Sequence, residues 1–226
     1  MIKTQENIIS IIQEQGVIPL FYNDDEEVSI AIADALYNAG IRIVEYTNRG
    51  SNAVKNFEAL TTLRDKQWPE LILCAGTVKF LHEAKAFIHA GADFIICPGV
   101  IPDVAKVVHE AGLLWVPGCM SSTEIIIAEQ NGAKLVKLFP GSLLGPAYLK
   151  AIKEIFPGLL FMPTGGVDIT EENLSAWFKA GVVAVGLGSK LISKDVMLHK
   201  NYTAVNKLAA KALALIKKIK DECHLK

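Results

Sequence analysis

The sequence predicts an α/β fold, a single (β/α)8 TIM barrel with an extra N-terminal helix, in which residues 1–226 form one domain. Short apolar runs alternate with helical patterns along the chain. These units recur about every 25 residues, and there are eight of them, which is the number that a closed barrel needs. An open doubly wound sheet is the alternative, but the first helix lacks the glycine-rich start that binds dinucleotides.

The strand candidates are short and apolar, as expected for parallel strands that are buried on both faces. They cover residues 17–22, 42–47, 71–76, 94–97, 113–116, 135–139, 160–163 and 182–187. The helical patterns between them include residues 26–39, 80–90, 102–111, 122–131, 146–156 and 170–180. A leading helix at 4–15 is expected to cap the bottom of the barrel, and a helix at 202–220 to close the outer ring.

Helix boundaries are marked by residues that suit helix ends. The predicted N-caps are Asp24 or Asp25, Ser51, Ser122 and Thr170. Several helices are followed by a glycine that stops the helix before a short loop into the next strand. These glycines are Gly40, Gly91, Gly112, Gly132 and Gly181.

The bulk composition argues against several classes of protein. The 23 Lys and Arg residues are spread along the chain and balanced by 24 acids, so we expect no nucleic-acid partner. No apolar run approaches the roughly 18 to 20 residues that span a bilayer, and the start has no signal peptide. We therefore expect no membrane association and a cytoplasmic location. The four cysteines lack metal-type spacing, which favours small buried thiols over a metal site or disulfide.

Lys137 stands alone in the apolar run 135–139. Burying an ammonium group is costly, so a lysine in such a strand favours the neutral amine. A neutral amine in a dry pocket attacks a ketone and forms a Schiff base. The alternative is an inert lysine whose tip reaches solvent at the end of the strand.

Other polar residues fall at the C-terminal ends of the predicted strands, where barrels of this kind have their active sites. They are Glu45 and Thr47 in strand two, Arg49 just beyond it, Thr77 after strand three, Thr164, Gly165 and Gly166 after strand seven, and Gly188 and Ser189 after strand eight. Together with Lys137 they place an amine, a carboxylate, a guanidinium group and hydroxyls around one mouth. That combination fits chemistry on a keto acid better than it fits packing.

Charge suggests a role for each group. Glu45 is the only acid at a predicted inward-facing strand position, and its carboxylate suits a proton shuttle. Arg49 offers a planar fork for a substrate carboxylate, to which Thr77 adds a hydroxyl. The glycines after strands seven and eight lie where barrels cradle a phosphate, although simple turns are the alternative.

Seven segments carry a family resemblance, and their order and spacing make it specific. They are Val17-Ile18-Pro19, Glu45-Tyr46-Thr47-Asn48-Arg49, Ala75-Gly76-Thr77-Val78, Pro98-Gly99, Val116-Pro117-Gly118, Val136-Lys137-Leu138-Phe139-Pro140 and Pro163-Thr164-Gly165-Gly166. From about Val17 to Leu191 the chain resembles the class I aldolases that cleave 2-keto-3-deoxy-6-phosphogluconate (KDPG) and 4-hydroxy-2-oxoglutarate (KHG).

This resemblance implies a role for each site residue. Lys137 would form the Schiff base and Glu45 would move protons. Arg49 and Thr77 would hold the pyruvate carboxylate, and Thr164 would contact the hydroxylated part of the substrate. Gly165, Gly166, Gly188 and Ser189 would bind the phosphate.

The resemblance also implies a homotrimer without metal or cofactor, which acts on a small 2-keto-4-hydroxy acid in sugar-acid breakdown such as the Entner–Doudoroff route. An aldolase for a related acid, such as the galactonate epimer, is the first alternative. A phosphate-binding barrel isomerase or synthase, or a barrel that only binds a sugar acid, is the second.

Three departures from the family pattern concern the distal half of the substrate. Asn48 replaces an aliphatic residue, often Leu, before the arginine. Gly141 replaces the alanine that commonly follows Phe-Pro, and Gly16 replaces an arginine that many members carry before the first strand.

Overall fold

Parallel strands in two sheets form the centre of the computed structural model, which describes residues 4–224. The strands are β1 (Val17–Phe21), β2 (Ile43–Thr47), β3 (Ile72–Gly76), β4 (Phe94–Ile96), β5 (Leu114–Val116), β6 (Gly118–Cys119), β7 (Leu135–Leu138), β8 (Leu160–Pro163) and β9 (Val185–Leu187). The helices are α1 (Gln5–Gln15), α2 (Glu26–Asn38), α3 (Ala53–Gln67), α4 (Leu81–His89), α5 (Pro102–Glu110), α6 (Ser122–Gln130), α7 (Gly141–Ile152), α8 (Glu171–Ala180), α9 (Lys194–Leu198) and α10 (Tyr202–His224). The chain thus alternates strands and helices, and the parallel sheet is curled into a half-barrel.

The larger sheet has the strand order β5-β4-β3-β2-β1-β9, and the smaller one has the order β6-β7-β8. Pro117 alone separates β5 from β6, because a proline has no N–H for the strand ladder. Its carbonyl accepts a hydrogen bond from Lys137 N at 2.8 Å. Near the other edge, Val183 N donates to Phe161 O at 3.0 Å, and Thr164 forms an isolated parallel bridge with Gly186. Hydrogen bonds therefore connect the strands of the two sheets at both of these places.

Side chains alternate between the two faces of each strand and form two buried clusters. The larger cluster fills the space between the sheets and the helices. The smaller one lies on the inner faces of the strands and contains residues such as Ile18, Ile43 and Leu135. Ile8 and Ile12 of α1 belong to this inner cluster, so α1 covers the N-terminal end of the strands.

Several predicted helix ends are confirmed and two are wrong. The side chain of Asp25 accepts hydrogen bonds from two backbone N–H groups of α2, and Thr170 caps α8. Ser122 is not a cap, because Ser121 forms a reciprocal capping box with Glu124, three residues later. The cap position of α3 is Asn52 rather than Ser51, and its side chain makes no capping hydrogen bond. All five glycines predicted to stop helices have positive φ angles.

Two further helical details differ from the sequence prediction. The helix predicted at 146–156 begins earlier, at Gly141, and is interrupted at Gly145 (φ 71°, ψ 166°) before Pro146. It ends at Ile152 and is followed by a single 3-10 turn, Lys153–Ile155. The short helix α9 has no counterpart among the predicted helices, since five residues are too few to show a helical period.

Candidate active site

Glu45 and Lys137 occupy inner-face positions toward the C-terminal ends of β2 and β7. Two residues before them stand Ile43 and Leu135, which belong to the inner apolar cluster. Because side chains two apart on a strand share a face, both charged groups point into the space enclosed by the strands. The apolar strand around Lys137 thus places its amine inside the protein.

The amine and the carboxylate face each other in a buried environment. Lys137 Nζ lies 3.6 Å from Glu45 Oε1, and the side chains are 6% and 0% exposed. The alternative in which the lysine tip reaches solvent is therefore wrong. Neither carboxylate oxygen of Glu45 has a hydrogen-bond partner among residues 4–224. A buried carboxylate without such partners is costly, and groups of this kind concentrate at functional sites.

The carboxylate of Glu45 fits only because the neighbouring strand has a glycine beside it. A Cβ atom at position 76 would lie 2.6 Å from Glu45 Cγ and would overlap Oε1. Gly76 was not among the residues predicted for the site. A glycine at an inward strand position, flanked by larger residues, is the sequence signal that marks such a close approach.

The predicted carboxylate-binding groups lie at the ends of β2 and β3. Arg49 is exposed just beyond β2, and its side chain forms no hydrogen bond or ion pair with the part of the chain that the structure describes. Thr77 has a φ of 60°, in the left-handed region that a β-branched residue rarely adopts. Asn48 N donates to Gly76 O at 2.8 Å and so fixes the two strand ends relative to each other.

Thr164 follows β8 and is almost fully buried, with 5% of its surface exposed. Its Oγ1 has no hydrogen-bond partner within residues 4–224. The neighbouring residue on β9 is Gly186, where a Cβ atom would overlap this hydroxyl. Thr164 is therefore a second buried polar group that a glycine accommodates at the same end of the strands.

The glycine-rich loops after β8 and β9 complete this end. Gly165 and Gly166 have φ angles of 88° and 77°. Gly188 is half-buried and Ser189 is exposed. The groups at this end therefore range from a buried amine–carboxylate pair, Lys137 and Glu45, to the exposed Ser189 at the surface.

Elsewhere, residues 4–224 form a groove but hold no metal-type cluster. No group of three or more His, Cys, Asp or Glu side chains in that range is arranged to hold a metal ion. The groove, of about 600 Å³, is lined by α1, α10 and residues that precede β2 and β3. It lies at the N-terminal ends of the strands, so it is separate from Glu45 and Lys137. Its lining residues include equal numbers of basic and acidic side chains. Over the same residues, no helix is long and apolar enough to cross a membrane.

A family model described as "KDPG and KHG aldolase" matches residues 8–208. The chain belongs to this aldolase family. It is therefore a carbon–carbon lyase, and the family resemblance seen in the sequence is confirmed.

Members of the family from other organisms support this assignment. The chain is 31% identical over 208 residues to the 2-dehydro-3-deoxy-phosphogluconate aldolase of Pseudomonas aeruginosa, covering 91% of each chain. It is 31% identical over 205 residues to the KHG/KDPG aldolase of Escherichia coli, covering 90% of this chain and 93% of the relative. The crystal structure of the KDPG aldolase from Legionella pneumophila, with pyruvate captured as a covalent carbinolamine intermediate, is also similar. It has a TM-score of 0.83 and 27% identity, covering 90% of this chain and 97% of that one.

The three departures from the aldolase pattern lie in different places. Asn48 is half-buried at the end of β2. Gly141 N donates to Thr164 O at 2.8 Å, and a Cβ atom there would lie 3.0 Å from Gly165 O. Gly141 therefore lies against the loop predicted to bind phosphate. Gly16 ends α1 just before β1, at the N-terminal end of the strands and away from Glu45 and Lys137.

Proposed function

We propose that this aldolase cleaves KDPG to pyruvate and glyceraldehyde 3-phosphate, and KHG to pyruvate and glyoxylate, with Lys137 as the Schiff-base residue. The observation that carries the proposal is the buried pair of Lys137 and Glu45 on the inner face of the strands, 3.6 Å apart. The names of the relatives from P. aeruginosa and E. coli support both substrates.

The chemistry begins when the neutral amine of Lys137 attacks the C2 ketone, and loss of water gives an iminium ion. The C4 hydroxyl then gives up its proton, the C3–C4 bond breaks, and its electron pair moves to the iminium nitrogen. This step releases the aldehyde and leaves an enamine. Protonation at C3 and hydrolysis by water release pyruvate and restore the amine.

Glu45 is the residue that we assign to the proton transfers. Its carboxylate is close enough to reach groups attached to Lys137 Nζ, and its oxygens are not engaged by residues 4–224. A carboxylate in this position accepts the proton of the C4 hydroxyl and returns one to C3. Arg49 and Thr77 hold the pyruvate carboxylate, because a guanidinium fork and a hydroxyl provide charge-assisted hydrogen bonds.

The distal part of the substrate extends toward the loops after β8 and β9. Thr164 binds a substrate hydroxyl, since its own hydroxyl is buried without a partner in the described chain. Gly165, Gly166, Gly188 and Ser189 bind the phosphate through backbone N–H groups and one hydroxyl. An aldolase for the galactonate epimer and a phosphate-binding isomerase or synthase are not favoured, because the family model is named for KDPG and KHG. A 2-dehydro-3-deoxy-6-phosphogalactonate aldolase from Escherichia coli is also a relative, with 29% identity over 194 residues.

Borohydride trapping tests the proposal. Incubation with pyruvate and sodium borohydride is expected to reduce the Schiff base and add a pyruvyl group to the peptide that contains Lys137. Lys134→Ala should keep this label, because Lys134 is half-exposed and paired with Glu6 on another face. Lys137→Ala should abolish the label and the cleavage. A label on any other lysine, or none, would contradict the assignment of Lys137.

We further propose that the two sheets close into one (β/α)8 barrel and that the chain is a single domain. The hydrogen bonds at Pro117 and between Val183 and Phe161 support closure, because they continue the strand ladder across both gaps. A crystal structure with an open gap at either place would contradict it.

The proposed homotrimer is supported by exposed apolar side chains that follow three of the strands, with Phe80 after β3, Met120 after β6 and Leu143 in the first turn of α7. Phe80, Met120 and Leu143 are 55%, 47% and 72% exposed. Sedimentation equilibrium tests this proposal, and a monomer at micromolar concentration would contradict it.

Cysteines that are buried and free support the proposed cytoplasmic location, because such thiols are typical of reducing compartments. Cell fractionation tests the location.

A further inference from the structure

An ion pair that the reaction scheme does not use joins the loops after β8 and β9. Lys190 Nζ lies 2.9 Å from Asp168 Oδ2. Lys190 directly follows Ser189, and Asp168 comes two residues after Gly166. The pair therefore bridges the two loops to which we assign the phosphate group, and any role of the pair in phosphate binding rests on that proposed function.

The charge balance of these loops is incomplete without Lys190. Within segments 163–170 and 186–193 of the sequence, Lys190 is the only cationic residue. Backbone amides and a serine hydroxyl donate hydrogen bonds to a phosphate but carry no full charge. A phosphate monoester carries about two negative charges near neutral pH. An ammonium group on a flexible stem is suited to balance them.

The ion pair lies near the surface, where Lys190 can exchange Asp168 for another anion. The side chains of Lys190 and Asp168 are 58% and 41% exposed, and pairs this exposed contribute little stability. The other oxygen of Asp168 accepts a hydrogen bond from Ile169 N at 2.7 Å, which anchors the carboxylate while the lysine stem stays free to rotate. The hydrogen bond from Lys190 lowers the pKa of Asp168, so this carboxylate keeps its negative charge.

We infer that Lys190 determines specificity for phosphorylated substrates and that Asp168 is its resting counter-ion. When the phosphate reaches the glycine loops, the ammonium group turns from Asp168 toward it. Asp168 then competes with the phosphate for Lys190, and without Lys190 its fixed charge repels the phosphate. The two residues therefore have opposite effects on phosphate affinity.

The test compares kcat/KM for KDPG with kcat/KM for its unphosphorylated analogue. Lys190→Met should lower the ratio of the two by about tenfold, which is the scale of one hydrogen bond to a charged group. Asp168→Asn keeps the acceptor for Ile169 N but removes the charge, so it should raise the ratio by about two- to threefold. Lys194→Met, at an exposed lysine in the first turn of α9, is the matched charge control and should leave the ratio unchanged.

A second measurement does not depend on turnover of the phosphorylated substrate. Inorganic phosphate should inhibit cleavage of the unphosphorylated analogue. The phosphate concentration needed for inhibition should be lower for Asp168→Asn than for the wild type, and higher for Lys190→Met. A wild-type preference for KDPG that persists equally in both variants would overturn this inference alone and leave the pair as a brace between loops. A wild type without preference would overturn the phosphate site as well. Loss of borohydride trapping in the wild type would instead contradict the aldolase mechanism.

Discussion

At the scale of single residues, the surroundings of a side chain decide its chemistry. Lys134 and Lys137 are three positions apart on one segment. The amine of Lys134 is exposed and lies 2.8 Å from Glu6, whereas that of Lys137 is buried beside Glu45. Of these two lysines, only Lys137 therefore combines burial with a carboxylate that lies close enough for proton transfer.

Variants of Glu45 and Arg49 should fail in different ways. Glu45→Gln should mainly lower kcat, by about 10² to 10⁴, because substrate binding survives while proton transfer does not. Arg49→Ala should mainly raise KM, since it loses a charge-assisted contact worth roughly 1.5 to 3 kcal/mol. Steady-state kinetics with KDPG separates the two effects. The assigned roles would be wrong if both variants raised KM equally and kept the wild-type kcat.

Gly76→Ala should lower kcat by about a hundredfold or more, because the new methyl group displaces the carboxylate of Glu45. Gly99→Ala is the control, as a Cβ atom there meets nothing within 4 Å. Circular dichroism would establish that each variant is folded. Full activity of Gly76→Ala would show that Glu45 is not held in place by this contact.

At the scale of the elements, the sequence predicted the strands well because each is a short apolar run. The residue that caps a helix was harder to predict where two neighbouring residues both suit the N-cap position. Ser121 and Ser122 are both good caps, and only the position of Glu124 selects the first. The turn of α7 before Gly145 was missed, because the predicted helix began at Pro146, a residue that suits the first turn of a helix.

Ser121→Ala should lower the free energy of unfolding by about 1 kcal/mol, because its side chain accepts a hydrogen bond from Glu124 N. Thr123→Ala, an exposed position in the first turn of α6, is the control and should change stability by less than about 0.5 kcal/mol. Urea denaturation followed by circular dichroism measures both values. Equal stability of the two variants would place the cap elsewhere.

At the scale of the whole molecule, the site combines residues from strands that are distant in sequence. The sequence predicted Glu45 at an inward-facing strand position and Lys137 within a buried apolar strand. Their distance of 3.6 Å depends on strand register and on the missing side chain at Gly76, which no single segment encodes. The ion pair between Asp168 and Lys190 likewise requires two loops to meet.

The thiols report on how well this interior excludes water. Burial raises the pKa of Cys97 and of Cys119 to about 12, and that of Cys74 well above its usual value. At pH 8 only about one in 10⁴ thiols with a pKa near 12 is ionised, and the thiolate is the reactive form. Iodoacetamide should therefore label the half-exposed Cys223 first in the native protein. Mass spectrometry should find all four cysteines labelled only after denaturation, and fast native labelling of Cys97 would contradict this prediction.

The position of α1 has a consequence for the order of events in the catalytic cycle. Ile8 and Ile12 fill the inner space at the N-terminal end of the strands, so we expect the substrate of the proposed reaction to reach Lys137 from the C-terminal end. In the proposed mechanism pyruvate remains bonded to Lys137 after the carbon–carbon bond breaks, whereas the aldehyde is no longer bonded to the protein. The aldehyde must therefore depart first and pyruvate second. In the direction of synthesis, the order reverses and pyruvate enters before the aldehyde.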